Sequence, residues 1–392
     1  MANAAPTPNE ASRATRLNAQ SWEASQSNPR AALRLAEQAR AEADASGDDV
    51  ARAEAYLNSG WALIYLGRYD EAVGAITECR NGYLRTGDEE GVTKATNALG
   101  VISFRVGAHD RARELFEEAL TMADRAPTSE RRIASLNNLG ELHSAVGEYE
   151  RALDHYERAL ELAAELDDEG IRATVEVNIA RVHLERGAVE RAIDGLNVAL
   201  ARAVAVGDRI IEAEALSQLG RAVRRANGAG GDHGDAEELH HQSIELCEEI
   251  GHPSGVVSAL ESLVELLLEE GRLDEAEEHA RRAVTIARET EAQITSLELL
   301  ERLADLRAMN GEPEEAFRPG KWLLELQREH AGAEAARKLR TLAARHELDQ
   351  ARMEAEIVRL RNVELREKSE ELERRNRTLQ LMYRIGSELT AA

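Results

Sequence analysis

Small and apolar residues return along the chain at a fixed interval of 40 residues, with polar residues between them. Glycine or alanine stands at Gly60, Gly100, Gly140, Ala180 and Gly220, each 40 residues after the last. Seven residues further comes a second glycine, at Gly67, Gly107, Gly147 and Gly187, and five beyond that an alanine, at Ala72, Ala112, Ala152 and Ala192. Two helices joined by a tight turn account for this pattern. The first small residue lets a partner helix come close, the second glycine takes a left-handed backbone where the first helix ends, and the alanine lies at the helix crossing.

The pattern continues at Gly271, Leu273 and Ala276, then at Gly311 and Ala316, but the step from Gly220 to its equivalent Val264 is 44 residues. The four extra residues fall in Asn227 to Gly234, where NGAGGDHG lengthens the turn between the two helices of that repeat. At the start, Trp22, Asn28-Pro29, Ala32, Leu33 and Ala36 predict a degenerate capping repeat of the kind that ends a stacked array. The expected organisation is a disordered N-terminus over 1–14, a cap over 15–50, a solenoid over 51–333 that brings the count to a cap and seven repeats, and a C-terminal helix over 334–392.

That last segment differs in pattern. No glycine or proline occurs between Ala333 and Ile385, which predicts a continuous helix of about 50 residues, roughly 75 Å long. Val358, Leu365, Leu372 and Leu379 recur every seven residues and read as d positions, placing Asn362, Ser369, Asn376 and Tyr383 at a. Asparagine at a favours a parallel dimer in register, while the mostly basic e and g residues Arg359, Arg361, Arg366, Lys368 and Arg375 weaken it by self-repulsion. The other reading is a single capping helix packed on the last repeat, with Leu360 and Leu381 facing that surface.

Composition narrows the class. Aromatic residues make up 3%, proline occurs 7 times, and 31% of residues are charged, which suits an ordered, water-soluble, all-α chain and argues against β architecture. The net charge of −24 repels nucleic acid and anionic membranes. The acidity is segregated: residues 334–392 carry 13 basic and 11 acidic side chains, so residues 1–333 hold a charge of −26. Cys79 and Cys247 are isolated and form neither a zinc set nor a disulfide framework. With no basic-then-apolar start in Met1 to Glu10 and no long apolar run, a cytoplasmic location is expected.

The phrases Leu139-Gly140, Gly147-Glu148-Tyr149 and Ala152…Tyr156…Ala159-Leu160 resemble the tetratricopeptide repeat, over about 300 residues in all. The 40-residue period and the Gly-Asp pairs at Gly47-Asp48, Gly87-Asp88 and Gly207-Asp208 are similar to the longer repeats of kinesin light chains and related bacterial adaptors. The stretch from Asn362-Val363-Glu364-Leu365 to Arg384-Ile385-Gly386-Ser387-Glu388-Leu389 looks like the connector helix that leads from such repeats into GGDEF, HD-GYP, GAF or histidine-kinase outputs. No catalytic motif of any such output stands in the sequence, so the resemblance implies a non-catalytic sensory or scaffolding part of a bacterial signalling system.

Candidate chemistry is that of binding. The chain holds no HExxH, no Walker-type loop, no GxSxG and no paired CxxC, and no cofactor or metal is expected. His233, His240 and His241 beside Asp232 and Asp235 are a poor metal cluster; the plainer reading has His240 packed, His241 solvated and Asp235 capping the following helix.

Asn58, Asn138, Asn178 and Gln218 share one repeat position, with Asn97 next to the Ala98 that breaks the series. An amide donates and accepts at once, so this ladder either grips a peptide backbone or ties neighbouring helices together. Lys94, Arg105, Arg181, Arg221, Arg224 and Arg225 make the middle of the same face basic, while Glu261, Glu265, Glu269, Glu301 and Asp305 follow further on. These charges suit an acidic partner in the middle, or pair between repeats. Trp61, Tyr65 and Phe104 are apolar anchors or core. The expected function is capture of a protein or peptide in the groove, relayed through a weak homodimer; the alternative is an assembly scaffold whose solenoid packs on copies of itself.

Overall fold

The computed structural model describes residues 12–25, 28–125, 129–228, 231, 233–290, 297–310 and 368. The chain divides into two units, Met1–Ala344 and Arg345–Ala392, and the helices described below belong to the first. The heptad residues Val358, Asn362, Leu365, Leu372, Asn376 and Leu379, the proposed continuous helix and the second helix of the seventh repeat lie outside the described residues.

Among the described residues the first unit is a run of 15 helices without strands. They alternate as A and B members of hairpins. The A helices are α1 (Arg13–Ala24), α3 (Asp49–Tyr65), α5 (Glu89–Arg105), α7 (Ser129–Ala145), α9 (Glu169–Glu185), α11 (Arg209–Asn227), α13 (Pro253–Glu270) and α15 (Leu297–Met309). The B helices are α2 (Pro29–Ser46), α4 (Tyr69–Thr86), α6 (His109–Ala123), α8 (Tyr149–Glu165), α10 (Val189–Val206), α12 (Gly234–Glu249) and α14 (Leu273–Thr290). Each A helix touches the next A helix from α1 to α15, while no two successive B helices come comparably close among the described residues. The A row is therefore the inner, concave side of the array.

Local chemistry sets the boundaries. The turn glycines Gly67, Gly107, Gly147 and Gly187 all take positive φ, between 67° and 78°. Between hairpins, Gly47, Gly87 and Gly207 end the B helices in the left-handed region, and Asp48, Asp88 and Asp208 cap the next A helix by accepting a backbone N–H three residues on. Asp167 fills the same place ahead of the capping Asp168 and keeps the left-handed backbone at φ 55°. The inserted residues lie between α11 and α12 as the spacing requires. Asp235, however, sits inside the first turn of α12, and His233 holds the N-cap position without a side-chain bond.

The core follows from the small residues. A Cβ on Gly100 would stand 2.5 Å from the Phe116 ring, and one on Gly140 would stand 2.5 Å from Tyr156. The large residue lies 16 positions after the small one, giving Gly60 with Ile76, Gly100 with Phe116, Gly140 with Tyr156 and Ala180 with Leu196. After the insertion the partner of Gly220 becomes His240. In the α13–α14 hairpin the sizes invert: Val264 and Ala280 are both buried in one apolar cluster. Each large plug removes apolar surface worth about 1.5–3 kcal/mol from water, and it can do so because the facing residue is small.

Candidate functional site

Four A helices, α1, α3, α5 and α7, with Tyr83 of α4, line a half-open pocket of about 670 Å³ on the concave side. Its wall combines aromatic, amide and charged groups. On α3, Glu54, Leu57, Asn58 and Trp61 fall at helical spacing and so share one face toward it. Trp22 of α1 meets Trp61 edge to face at 6.5 Å, and Tyr65 lies 6.2 Å from Trp61. Trp22 is 54% exposed, an unusual setting for so large an apolar surface. Phe104 faces elsewhere, packing on His109 and the α5–α7 core.

The amides turn out to serve two purposes. Asn58 is buried and donates to the backbone oxygen of Asn18, which stands 40 residues earlier and itself donates to the Ala51 carbonyl. Asn138 donates to Asn97 Oδ1 at 3.1 Å, and Asn178 donates to Asn137 Oδ1 at 2.8 Å. Neighbouring A helices are thus tied together. Asn97, Asn137 and Asn138 nevertheless line the pocket and are only half buried. With those bonds made, Asn97 and Asn137 each keep an amide NH2 and Asn138 keeps its carbonyl. Ser135 lies in the same wall, 1% exposed, and its Oγ has no partner among the described residues.

Charge in the pocket is balanced. Lys94 Nζ lies 3.0 Å from Glu90 Oε1, and Arg131 of α7 reaches the same oxygen at 3.2 Å. The hydrogen bond from Lys94 and the nearby Arg131 hold the Glu90 carboxyl below its ordinary range. Glu54 is raised instead, because burial outweighs Lys94 and the Asn18 amide. Two cations, Lys94 and Arg131, thus stand against two carboxylates, Glu90 and Glu54.

The C-terminal half of the groove is closed upon itself. Arg224 donates to Glu269 and to Glu265, both at 2.9 Å, across to α13. Arg221 donates to Gln218 at 3.0 Å and pairs with Glu185. Arg225 donates to the Leu184 carbonyl at 2.7 Å and so caps the end of α9. Arg181 stands 3.9 Å from Glu214. Arg105 is exposed at the end of α5, outside the pocket wall. Asp305 is exposed on α15, and the side chain of Glu301 lies outside the described residues.

Sequence periodicity missed Asn18, which one more step of 40 residues back from Asn58 would have found. It also missed Arg131, which has no equivalent in the other repeats: the same position holds Gly91 and Ile171. His240 is packed and His241 is partly exposed, and no group of metal-ligating side chains is assembled among the described residues. No helix among them is long and apolar enough to cross a membrane.

The alternating hairpins and the A-lined groove define an all-α tandem-repeat protein built to present a concave surface. The repeat is the tetratricopeptide repeat: residues 92–165 and 227–289 match one tetratricopeptide repeat model, and residues 53–79 match a second. No curated protein matches the chain. A Rap protein complexed with competence and sporulation factor shares the fold at 16% identity and TM-score 0.54, over 86% of this chain and 99% of that one. The Rap conjugation gene regulator of the plasmid pLS20, solved with its Phr peptide, is 11% identical at TM-score 0.54, over 80% of this chain and 96% of that one. A putative kinesin light chain from Podosopora anserina is 18% identical at TM-score 0.39, over 50% of this chain and 95% of that one.

Proposed function

We propose that this chain is a non-catalytic peptide- or protein-binding regulator that takes its ligand in the pocket between α1, α3, α5 and α7. One observation carries the reading: Asn97, Asn137 and Asn138 keep a donor, a donor and an acceptor toward a half-open pocket after tying their helices together. An extended peptide offers the complementary carbonyls and N–H groups at every residue, so such a wall binds backbone with little dependence on sequence. The two Rap structures, one solved with its factor and one with its peptide, support a ligand of this kind.

Ligand capture changes the spacing of the A helices, and the C-terminal segment relays that change to a partner or output as a parallel homodimer. The setting is the cytoplasm of a bacterium. Selection of peptides from a displayed library against residues 1–392 tests the binding half. Peptides that bind the parent but not Asn137→Ala/Asn138→Ala support the site, and equal affinity for both sinks it. Light scattering across a wide concentration range tests the relay: Leu365→Glu/Leu372→Glu should convert a dimer to a monomer, and a dimer unaffected by the change is held elsewhere.

A further inference from the structure

The outer side of the array carries a second surface. Four repeat positions fall on the outer face of the B helices. On α8 they hold Arg158, Glu161, Ala164 and Glu165, and on α12 Gln242, Glu245, Glu248 and Glu249, all exposed. On α10 they hold Val198, Ala201, Val204 and Ala205, also exposed. Each of the other B helices has at least one charged residue at these places, and α10 has none. Val198 is 48% exposed and Val204 56%, and β-branched residues favour a helix less than alanine does, so neither the core nor helix stability gives a reason for them. The apolar stripe runs on through the exposed Val206 into a hollow of about 740 Å³ at the edge of the array, where Leu166, Ile210 and Ile250 join it.

The chemistry of this face selects what covers it. Its backbone groups are used within α10, and the one amide on it, Asn197, donates to the Ile193 carbonyl of the same helix at 3.0 Å. The face therefore offers apolar contact without a ladder of donors, which fits a helix, whose own backbone is already satisfied, and does not fit an extended strand. Ala201 and Ala205, one turn apart, let such a helix come close beside the valines. The frame of the stripe is acidic. Glu157, Glu161 and Glu165 follow one another a turn apart along α8, Glu245 stands on α12 and Asp167 at the hollow, all exposed and none in an ion pair among the described residues. Arg158 and Arg209 already lie against Asp154 and Glu249, and at the start of α10 Arg191 is outnumbered by Glu190 and Asp194. A second copy of the chain would set the same acidic frame against this one, in a molecule of net charge −24. We infer that α10 docks an amphipathic helix of another protein, with Leu, Ile, Val or Met facing Val198 and Val204 and with Lys or Arg on its flanks.

The test presents residues 1–392 with displayed peptides of about 18 residues, built on a helix-forming frame and randomised at the stripe and flank positions. Retained peptides should have apolar residues at i, i+3, i+4 and i+7 and a surplus of Lys and Arg. They should bind Val198→Lys/Val204→Lys at least tenfold more weakly; lysine is the better helix former at both places, so α10 is kept. Glu161→Lys/Glu165→Lys leaves the stripe untouched and should weaken them at least threefold while reducing their sensitivity to salt. Asn137→Ala/Asn138→Ala should leave them unchanged, which separates this surface from the groove. Retained peptides that are all indifferent to Val198→Lys/Val204→Lys, retained peptides without a basic surplus, or no retained peptide at all overturn the inference. Self-association of the parent that Val198→Lys/Val204→Lys abolishes also overturns it, because the occupant is then a second copy.

Discussion

The imidazole of His240 on α12 occupies the space that a side chain on Gly220 of α11 would need, its Cε1 2.8 Å from the place of the missing Cβ. Corresponding hairpins use Phe116 or Tyr156 as this plug, so the fifth small-to-large pair of the series carries a polar ring in an apolar position. His240 is 0% exposed and neither ring nitrogen has a partner among the described residues. Burial, reinforced by Arg224 and Arg221, pushes its pKa down to about 3.

The consequence for acid stability has a definite sign. An unfolded chain protonates this histidine near the ordinary value of about 6.5, whereas the folded chain keeps it neutral. The folded state is therefore undisturbed above that pH and loses stability as pH falls from there toward about 3, at up to about 1.4 kcal/mol per unit. His240→Phe should stabilise the protein by about 1–3 kcal/mol at neutral pH, by removing two unsatisfied buried nitrogens. In urea titrations its advantage should widen at about pH 5; an advantage that stays constant with pH would rule out titration at this ring.

A methyl group on Gly140 meets Tyr156 at 2.5 Å, so Gly140→Ala should cost about 1–3 kcal/mol by overpacking. Gly147→Ala meets no neighbour but must hold φ at 78°, at a cost of about 1–2 kcal/mol. Combining Gly140→Ala with Tyr156→Leu reproduces the Ala180 and Leu196 pair found one repeat later, and should recover part of the loss. Thermal unfolding of the three variants reads this directly, and a double variant no better than Gly140→Ala alone would show that the plug and its socket are not coupled.

Arg224 is nearly buried and holds both Glu265 and Glu269. Replacing it with alanine removes the packing of its buried stem and leaves two part-exposed carboxylates to repel each other, and should destabilise the chain by about 1 kcal/mol. Peptide affinity should not change, because none of the three residues lines the pocket. Calorimetric unfolding alongside peptide titration separates the two effects; a loss of affinity as large as that of Asn137→Ala/Asn138→Ala would mean that the closed half of the groove takes part in binding.

The amides divide in the same way. Asn178 is buried, and its side chain bonds across to Asn137, so Asn178→Ala should cost about 1 kcal/mol of stability. Asn138 is half buried and faces the pocket, so Asn138→Ala should weaken a selected peptide with a smaller change in unfolding midpoint. Equal midpoints for the two variants would contradict this division.

The hairpins, their turns and the four-residue insertion were legible because glycine and aspartate are required by local backbone geometry, which recurs with the period. Asn58 and Asn138 were legible as a ladder for the same reason. What the ladder bonds to was not, since Asn138 pairs with Asn97 across 41 positions and only the closeness of successive A helices decides it. The basic middle of the groove misleads for a related reason. Arg224 and Lys94 look alike in sequence, but the array places two carboxylates against Arg224, while Lys94 shares one carboxylate with Arg131, a residue that interrupts the repeat pattern.

The inverted pair, Val264 with Ala280, also bears on how an array of this kind can grow or shrink. A crossover inside a hairpin would set Val264 against a bulky plug from another repeat, or Gly140 against Ala280, producing a clash in one product and a void in the other. Breaks in the segments that join one hairpin to the next leave every plug with its own socket. The inheritable module is thus the complete hairpin, and recombination that respects the Gly-Asp junctions can add or remove whole repeats while each core arrives already matched.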